Sequence, residues 1–153
     1  MSDINFSLFE KKAGVTFKTK SFLRQAFTHR SYINENKTLK LEHNERLEFL
    51  GDAVLELVVT DFLYKKYQGE DEGVLTTYRS ALVNAITLSE IASNLFMNDF
   101  LLLSKGEMKD VGRARQYILA NTFEAVVGAL YMDLGYDAAK AFIDRHLFSF
   151  ADK

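Results

Sequence analysis

Glu45, Glu48 and Asp52 fall at i, i+3 and i+7 in the stretch NERLEFLGDAVL, and at about 100° per residue they occupy one narrow stripe of a helix. Around that stripe the segment is apolar, with Leu47, Phe49, Leu50, Ala53, Val54, Leu57, Val58, Phe62 and Leu63. The pattern predicts a central, buried helix. A carboxylate on such a helix is costly unless a cation compensates it. A second polar pair, Asn121 and Glu124 at i, i+3, interrupts Ile118, Leu119, Phe123, Val126, Val127 and Leu130. Two apolar helices that each present oxygen ligands on one face can meet to build a hard-cation site, for which Mg²⁺ fits, with Mn²⁺ able to substitute. The competing reading is a set of salt bridges, with Arg46, Arg79 and Arg115 as candidates, or a solvated acidic stripe. Spacing alone leans to that second reading.

Other metal chemistry is narrower. Cysteine is absent, which removes disulfides and thiolate zinc sites. His29, His43 and His146 have no ligand spacing and read as caps or surface residues. Gly51 and Gly128 each interrupt a helical pattern at a cost of about 1 kcal/mol relative to alanine; close helix packing accounts for both.

The elements that must hold these residues are helical. Proline is absent and glycine numbers eight, while apolar residues recur at three-and-four spacing. Helices are expected at roughly Phe6–Lys12, Ser21–His29, His43–Tyr67, Glu72–Leu95, Arg113–Leu134 and Asp137–Phe148. Two longer connections separate them, Tyr32–Glu42 and Leu101–Gly112, the second leading with Lys105, Lys109, Arg113 and Arg115 into a basic tract. The expected fold is all-α, one domain over residues 1–153 with no second domain.

Bulk properties agree with a soluble globular unit: 48% hydrophobic and 26% charged residues in 153, enough to bury a core without a covalent staple. No segment reads as a membrane span or an export signal, and the cytoplasm is the expected compartment. A net charge of −2 and a pI near 5.9 are unusual for a surface that attracts polyanions everywhere. Carboxylates gathered into a cation site would soften that conflict.

NERLEFLGDAVL resembles the signature of the ribonuclease III family almost letter for letter, and FTHRSY (27–32), DEGVLTTYRSALV (71–83) and ILANTFEAVVGAL (118–130) extend the resemblance over most of the chain. The resemblance implies the helical endonuclease domain of that family. Its activity would be metal-dependent hydrolysis of double-stranded RNA, leaving 5′-phosphate and 3′-hydroxyl ends with short 3′ overhangs, by a homodimer formed through the signature-helix region. Position by position, Glu48, Asp52 and Glu124 match the metal-binding carboxylates. Glu45 and Glu72 match further acidic positions around the cleavage valley. Asn121 matches a position where many members carry aspartate; an amide oxygen can still bind a hard cation but neutralises no charge. The metal set is therefore Glu48, Asp52, Asn121 and Glu124, and the catalytic set is Glu45, Glu48, Asp52, Glu72 and Glu124. The family's usual double-stranded RNA-binding domain has no counterpart in these residues.

Phosphodiester hydrolysis needs an activated water, a neutralised phosphate and a stabilised leaving oxygen, tasks that one or two Mg²⁺ ions can perform between carboxylates. No organic cofactor is required. The basic tract is equally readable as a solvated loop or as an RNA contact, and recognition would rest on duplex shape rather than sequence. Two other functions remain open at this point. One is a non-catalytic RNA-binding or scaffold member of the family; the other is an all-α nucleoside triphosphate pyrophosphohydrolase.

Overall fold

The last long helix, α8 (Arg113–Leu134), is the one the rest of the fold surrounds. From Ile118 to Leu130 every residue is buried except Asn121 and Glu124, which are half-buried. Such a helix must find apolar neighbours on all sides, and α8 finds them in α2 (Lys20–Ala26), α4 (Glu45–Lys66), α6 (Ala85–Asn94) and α9 (Tyr136–Ile143). The computed structural model describes residues 4–151, and all regular structure among them is helical. The expectation of a central signature helix is corrected here. α4 buries Leu47, Gly51, Val54, Leu55, Val58, Val59 and Leu63 but leaves Phe49 83%, Leu57 56% and Tyr64 70% exposed.

α4 and α8, each 22 residues long, form the most extensive helix pair, and they cross where both have glycine. A Cβ on Gly51 would collide with the carbonyl of Glu124, and one on Gly128 with the carbonyl of Leu47. The two backbones are in contact at this point. The helical cost of the two glycines is offset by that approach.

The remaining elements brace this pair. α1 (Phe6–Ala13) packs through a ring cluster of Phe6, Phe9, Phe27 and Phe100. Buried Glu10 accepts from the backbone N–H of Phe17 at 2.7 Å and from Lys20 at 2.8 Å, tying α1 to the start of α2. The expected helix Ser21–His29 ends earlier, at Ala26. The chain then extends so that Leu102 N–H donates to Phe27 (2.9 Å) and His29 N–H donates to Leu102 (3.0 Å). His29 instead caps a short helix, α3 (Arg30–Glu35), accepting from the N–H of Ser31 at 3.2 Å. This helix lies where a polar connection was expected.

The single helix expected over Glu72–Leu95 is two, α5 (Glu72–Leu82) and α6. Val83 and Asn84 are extended between them, and the Asn84 side chain accepts from Thr87 N–H at 2.9 Å as an N-cap. Apolar spacing runs on through the break, which hid it. The stretch Leu101–Gly112 contains one short helix, α7 (Lys105–Lys109), capped by Ser104. Helix α9 continues through a wider π turn, Asp144–Phe148, into a last turn at Ser149–Ala151.

The crossing generates a stability prediction. Gly51→Ala and Gly128→Ala each force two helix backbones apart, so each should cost more than about 2 kcal/mol in urea unfolding, beyond the ordinary overpacking range at its lower end. A change within about 0.5 kcal/mol at either position would contradict the contact.

Candidate metal-binding and catalytic site

The start of α4 is pinned before its carboxylates are placed. Asn44 is 5% exposed; its amide donates to the Ala26 carbonyl at 2.9 Å, and its own N–H donates to Thr28 at 2.9 Å. The Glu48 N–H then closes the first turn on the Asn44 carbonyl, also at 2.9 Å. This buried amide fixes where Glu45, Glu48 and Asp52 emerge from α4. Its role was not read from the sequence, because nothing in its spacing separates it from an ordinary helix cap.

Gly51 and Gly128 then decide which residues of α8 face that stripe. Glu124 lies one turn before Gly128 and its carbonyl lies against Gly51; its side chain meets Asp52, with Glu48 close enough to repel it. Burial, then a hydrogen bond to Asp52, then repulsion from Asp52 and Glu48 push the Glu124 carboxyl up to about 9. At neutral pH Glu124 therefore carries a proton that it donates to Asp52. Glu48 is also raised, by burial first and then by Glu45 and Asp52. Glu48, Asp52 and Glu124 thus form one mutually repelling group.

The salt-bridge reading fails at this group. Arg79 pairs with Glu56 at 3.4 Å and donates to Thr60 at 2.9 Å. Arg115 donates to Asn98 at 2.7 Å and to the Glu107 carbonyl at 2.8 Å. Arg46 is exposed and has no ion pair among the described residues. No lysine, arginine or histidine among those residues pairs with Glu48, Asp52 or Glu124. Glu45 differs, since Arg30 sits 3.3 Å away; that partner, too, escaped the sequence reading.

The other expected residues lie around this group. Asn121 is half-buried, one turn before Glu124 on the same face of α8. Glu72 is exposed in the first turn of α5 and lines a cleft with Thr60, Tyr64, Glu70 and Arg79. Asp52 lines a different cleft, with Glu56, Arg79, Ser80 and Val83. Glu72 is thus not brought against Asp52; Arg79 stands between their two clefts. The histidines serve as local braces. His29 caps α3, His43 accepts from Glu45 N–H at 3.4 Å, and His146 donates to the Ala13 carbonyl at 2.8 Å.

The donor set suits a hard cation. Among the described residues no group of three or more His, Cys, Asp or Glu side chains is gathered closely enough to hold a metal ion by itself. A contacting Asp52–Glu124 pair, a nearby Glu48 and an exposed Asp52 edge instead fit an ion held by one or two carboxylates. Such an ion keeps waters and takes phosphate oxygens, as Mg²⁺ does. A cation would also relieve the repulsion that holds Glu124 protonated.

The sequence profile of the Ribonuclease-III-like family matches residues 19–150. The chain belongs to this family. Among its relatives, ribonuclease 3 of Oceanobacillus iheyensis is 47% identical over 139 residues, which are 91% of this chain and 61% of that protein. The chain therefore spans about 60% of the length of such a relative. In three dimensions it resembles the nuclease domain of ribonuclease III from Campylobacter jejuni, with a TM-score of 0.88 at 37% identity over 97% of this chain and 100% of that one. It also resembles Dicer from Pichia stipitis, with a TM-score of 0.65 at 28% identity over 88% of this chain and 57% of that one. Membership in the Ribonuclease-III-like family removes the nucleotide pyrophosphohydrolase reading. The all-α fold expected from the sequence is the fold of these relatives.

The pH dependence of stability follows from Glu124. A folded-state value near 9 against an ordinary carboxyl near 4.5 means that the folded chain holds a proton the unfolded chain has lost. Stability from this group is full below about 4.5 and is lost as pH rises through about 9. Without divalent metal, Glu124→Gln should therefore raise the melting temperature relative to the parent at pH 8, and the difference should vanish near pH 4. A parent whose metal-free stability is flat between pH 5 and 9 would contradict the shift.

Proposed function

We propose that this chain is the catalytic domain of a metal-dependent endoribonuclease that hydrolyses double-stranded RNA as a homodimer. The observation that carries the reading is the contact of Glu124 with Asp52 at the α4–α8 crossing, with Glu48 near enough to repel it and no cationic side chain among the described residues paired with any of the three. A scaffold that only bound RNA would gain nothing from this arrangement, which repels phosphate unless a cation is present. That argues against the non-catalytic alternative.

Glu48, Asp52 and Glu124, with Asn121 beside them, would hold Mg²⁺ or Mn²⁺. The ion would supply the Lewis acidity and the activated water that phosphodiester hydrolysis requires. The residues themselves do the rest. Asp52 presents an exposed carboxylate edge to incoming phosphate, and the half-buried Glu124 stands behind it on α8. Glu45, balanced by Arg30, borders the site without adding free charge, and the more distant Glu72 borders the next cleft. On this reading the products carry 5′-phosphate and 3′-hydroxyl ends with short 3′ overhangs, and the work is done in the cytoplasm. No helix among the described residues is long and apolar enough to cross a membrane.

The dimer rests on the outer face of α4. Phe49, Ala53, Leu57 and Tyr64 fall within about 80° of arc and are all exposed, an apolar strip of the kind that a partner covers. In the Campylobacter jejuni nuclease domain a region is involved in dimer formation, and a second copy of this chain is the occupant proposed here.

Two measurements test the reading. In a duplex-RNA cleavage assay with Mg²⁺, Glu124→Gln should lower the rate about a thousandfold or more, while Asn121→Asp should reach half-maximal rate at lower Mg²⁺. Retained turnover in the first, or identical metal dependence in the second, would remove that residue from the site. In sedimentation, Phe49→Asp should convert a dimer to a folded monomer; an unchanged dimer would place the interface elsewhere.

A further inference from the structure

Arg79 occupies a place that the proposed reaction has not used. It lies on α5, and its guanidinium reaches α4, donating to Thr60 at 2.9 Å and lying 3.4 Å from Glu56. Glu56 and Thr60 follow Asp52 by one and two turns, roughly 6 and 12 Å along the helix. The carboxylate stripe of α4 thus runs on from Asp52 to the guanidinium.

Arg79 also lines the cleft of about 260 Å³ that contains Asp52, Glu56, Ser80 and Val83, and it is the only basic residue in that lining. It lines the neighbouring cleft with Glu72 as well. The side chain is 33% exposed, and the contacts to Glu56 and Thr60 engage two of the five donors of the guanidinium, which leaves three for a further ligand. A planar fork held at its base is pre-organised for a phosphate oxygen pair.

We propose that Arg79 is a phosphate-binding residue of the cleavage cleft, holding the RNA strand next to the phosphodiester addressed at Asp52 and Glu124. This rests on the endonuclease reading above. Glu56 and Thr60 aim the guanidinium, and Glu56 also competes with phosphate for it. That competition distinguishes phosphate binding from a mere clamp between α4 and α5. If Arg79 only braced the helices, removing either partner of the ion pair would have the same effect. If Arg79 binds phosphate, the two removals act in opposite directions on RNA.

The test measures binding of a short RNA duplex against salt, in Mg²⁺ and in the Glu124→Gln background so that cleavage does not deplete the ligand, with melting temperature recorded for every variant. Arg79→Gln should weaken binding about tenfold at moderate salt and make the slope of log affinity against log salt shallower by about one. Arg79→Lys, which keeps the charge and loses the fork, should recover the slope but only part of the affinity. Glu56→Gln should tighten binding. In the cleavage assay without the Glu124 substitution, Arg79→Gln should raise KM more than it lowers kcat. Arg79→Gln and Glu56→Gln both weakening RNA binding, or an Arg79→Gln slope equal to that of the parent, would overturn the assignment. If the parent itself neither binds nor cuts duplex RNA, the endonuclease reading falls first, and this inference falls with it.

Discussion

Everything that matters at the site depends on two helix backbones being allowed to touch. With a side chain at Gly51 or Gly128, α4 and α8 would separate by the width of a methyl group or more, since each Cβ would fall on a carbonyl of the other helix. The consequence is electrostatic as well as steric. Coulomb energy and desolvation both change steeply over a few ångströms, so the distance that the glycines set is also what forces a proton onto Glu124. The strain is concentrated there because α8 is rigidly held: its neighbours enclose it from Ile118 to Leu130, and a packed interior does not yield gradually.

The charge balance of the molecule makes sense from the same point. A chain of net charge −2 is an unpromising ligand for a polyanion if its charge is spread evenly. Here three acids without an ion pair, Glu48, Asp52 and Glu124, are brought together at one crossing, while several others are paired locally: Glu45 with Arg30, Glu56 with Arg79, Asp61 with Lys65 and Asp144 with Lys140. A divalent cation at the crossing would reverse the sign of the field where phosphate must approach. Exposed pairs of this kind contribute little to stability, so on the endonuclease reading their arrangement matters more for where RNA can come close than for how firmly the chain folds.

The helical class and the residues of the acidic group were legible because periodicity and carboxylate spacing are local properties. Glu48 and Asp52 share a stripe by arithmetic, and Glu124 stands out as a charge in an apolar run. What escaped was set by tertiary partners. The burial of α4 was overstated, since both long helices read as apolar all round and only the fold shows that α8 is the enclosed one. The α5–α6 break was hidden by apolar spacing that continues through Val83, although Asn84 is a good capping residue. His29 was placed inside a helix because the bridge to Leu102 that stops α2 lies far along the chain. Arg79 was weighed as a counter-ion of the site, and the structure turns it instead toward Glu56 and Thr60.

The apolar residues of α4 are best understood as serving two different surfaces. At about 100° per residue, Leu47, Gly51, Val54 and Val58 form the arc that meets the body of the domain, Glu48, Asp52 and Glu56 form the next, and Phe49, Ala53, Leu57 and Tyr64 form the third. The acidic arc therefore borders the exposed apolar one along the length of the helix. On the homodimer reading, a partner that covers the third arc arrives with its own acidic arc beside the same seam. Two sites placed by one two-fold axis would then face a duplex together, and the spacing between them would be set by the helix that carries the carboxylates. A substitution in the exposed apolar arc would consequently alter the relation between the two sites without touching a ligand. This links the glycine crossing to the outer face of α4, since one rigid helix fixes both the geometry within a site and the geometry between sites.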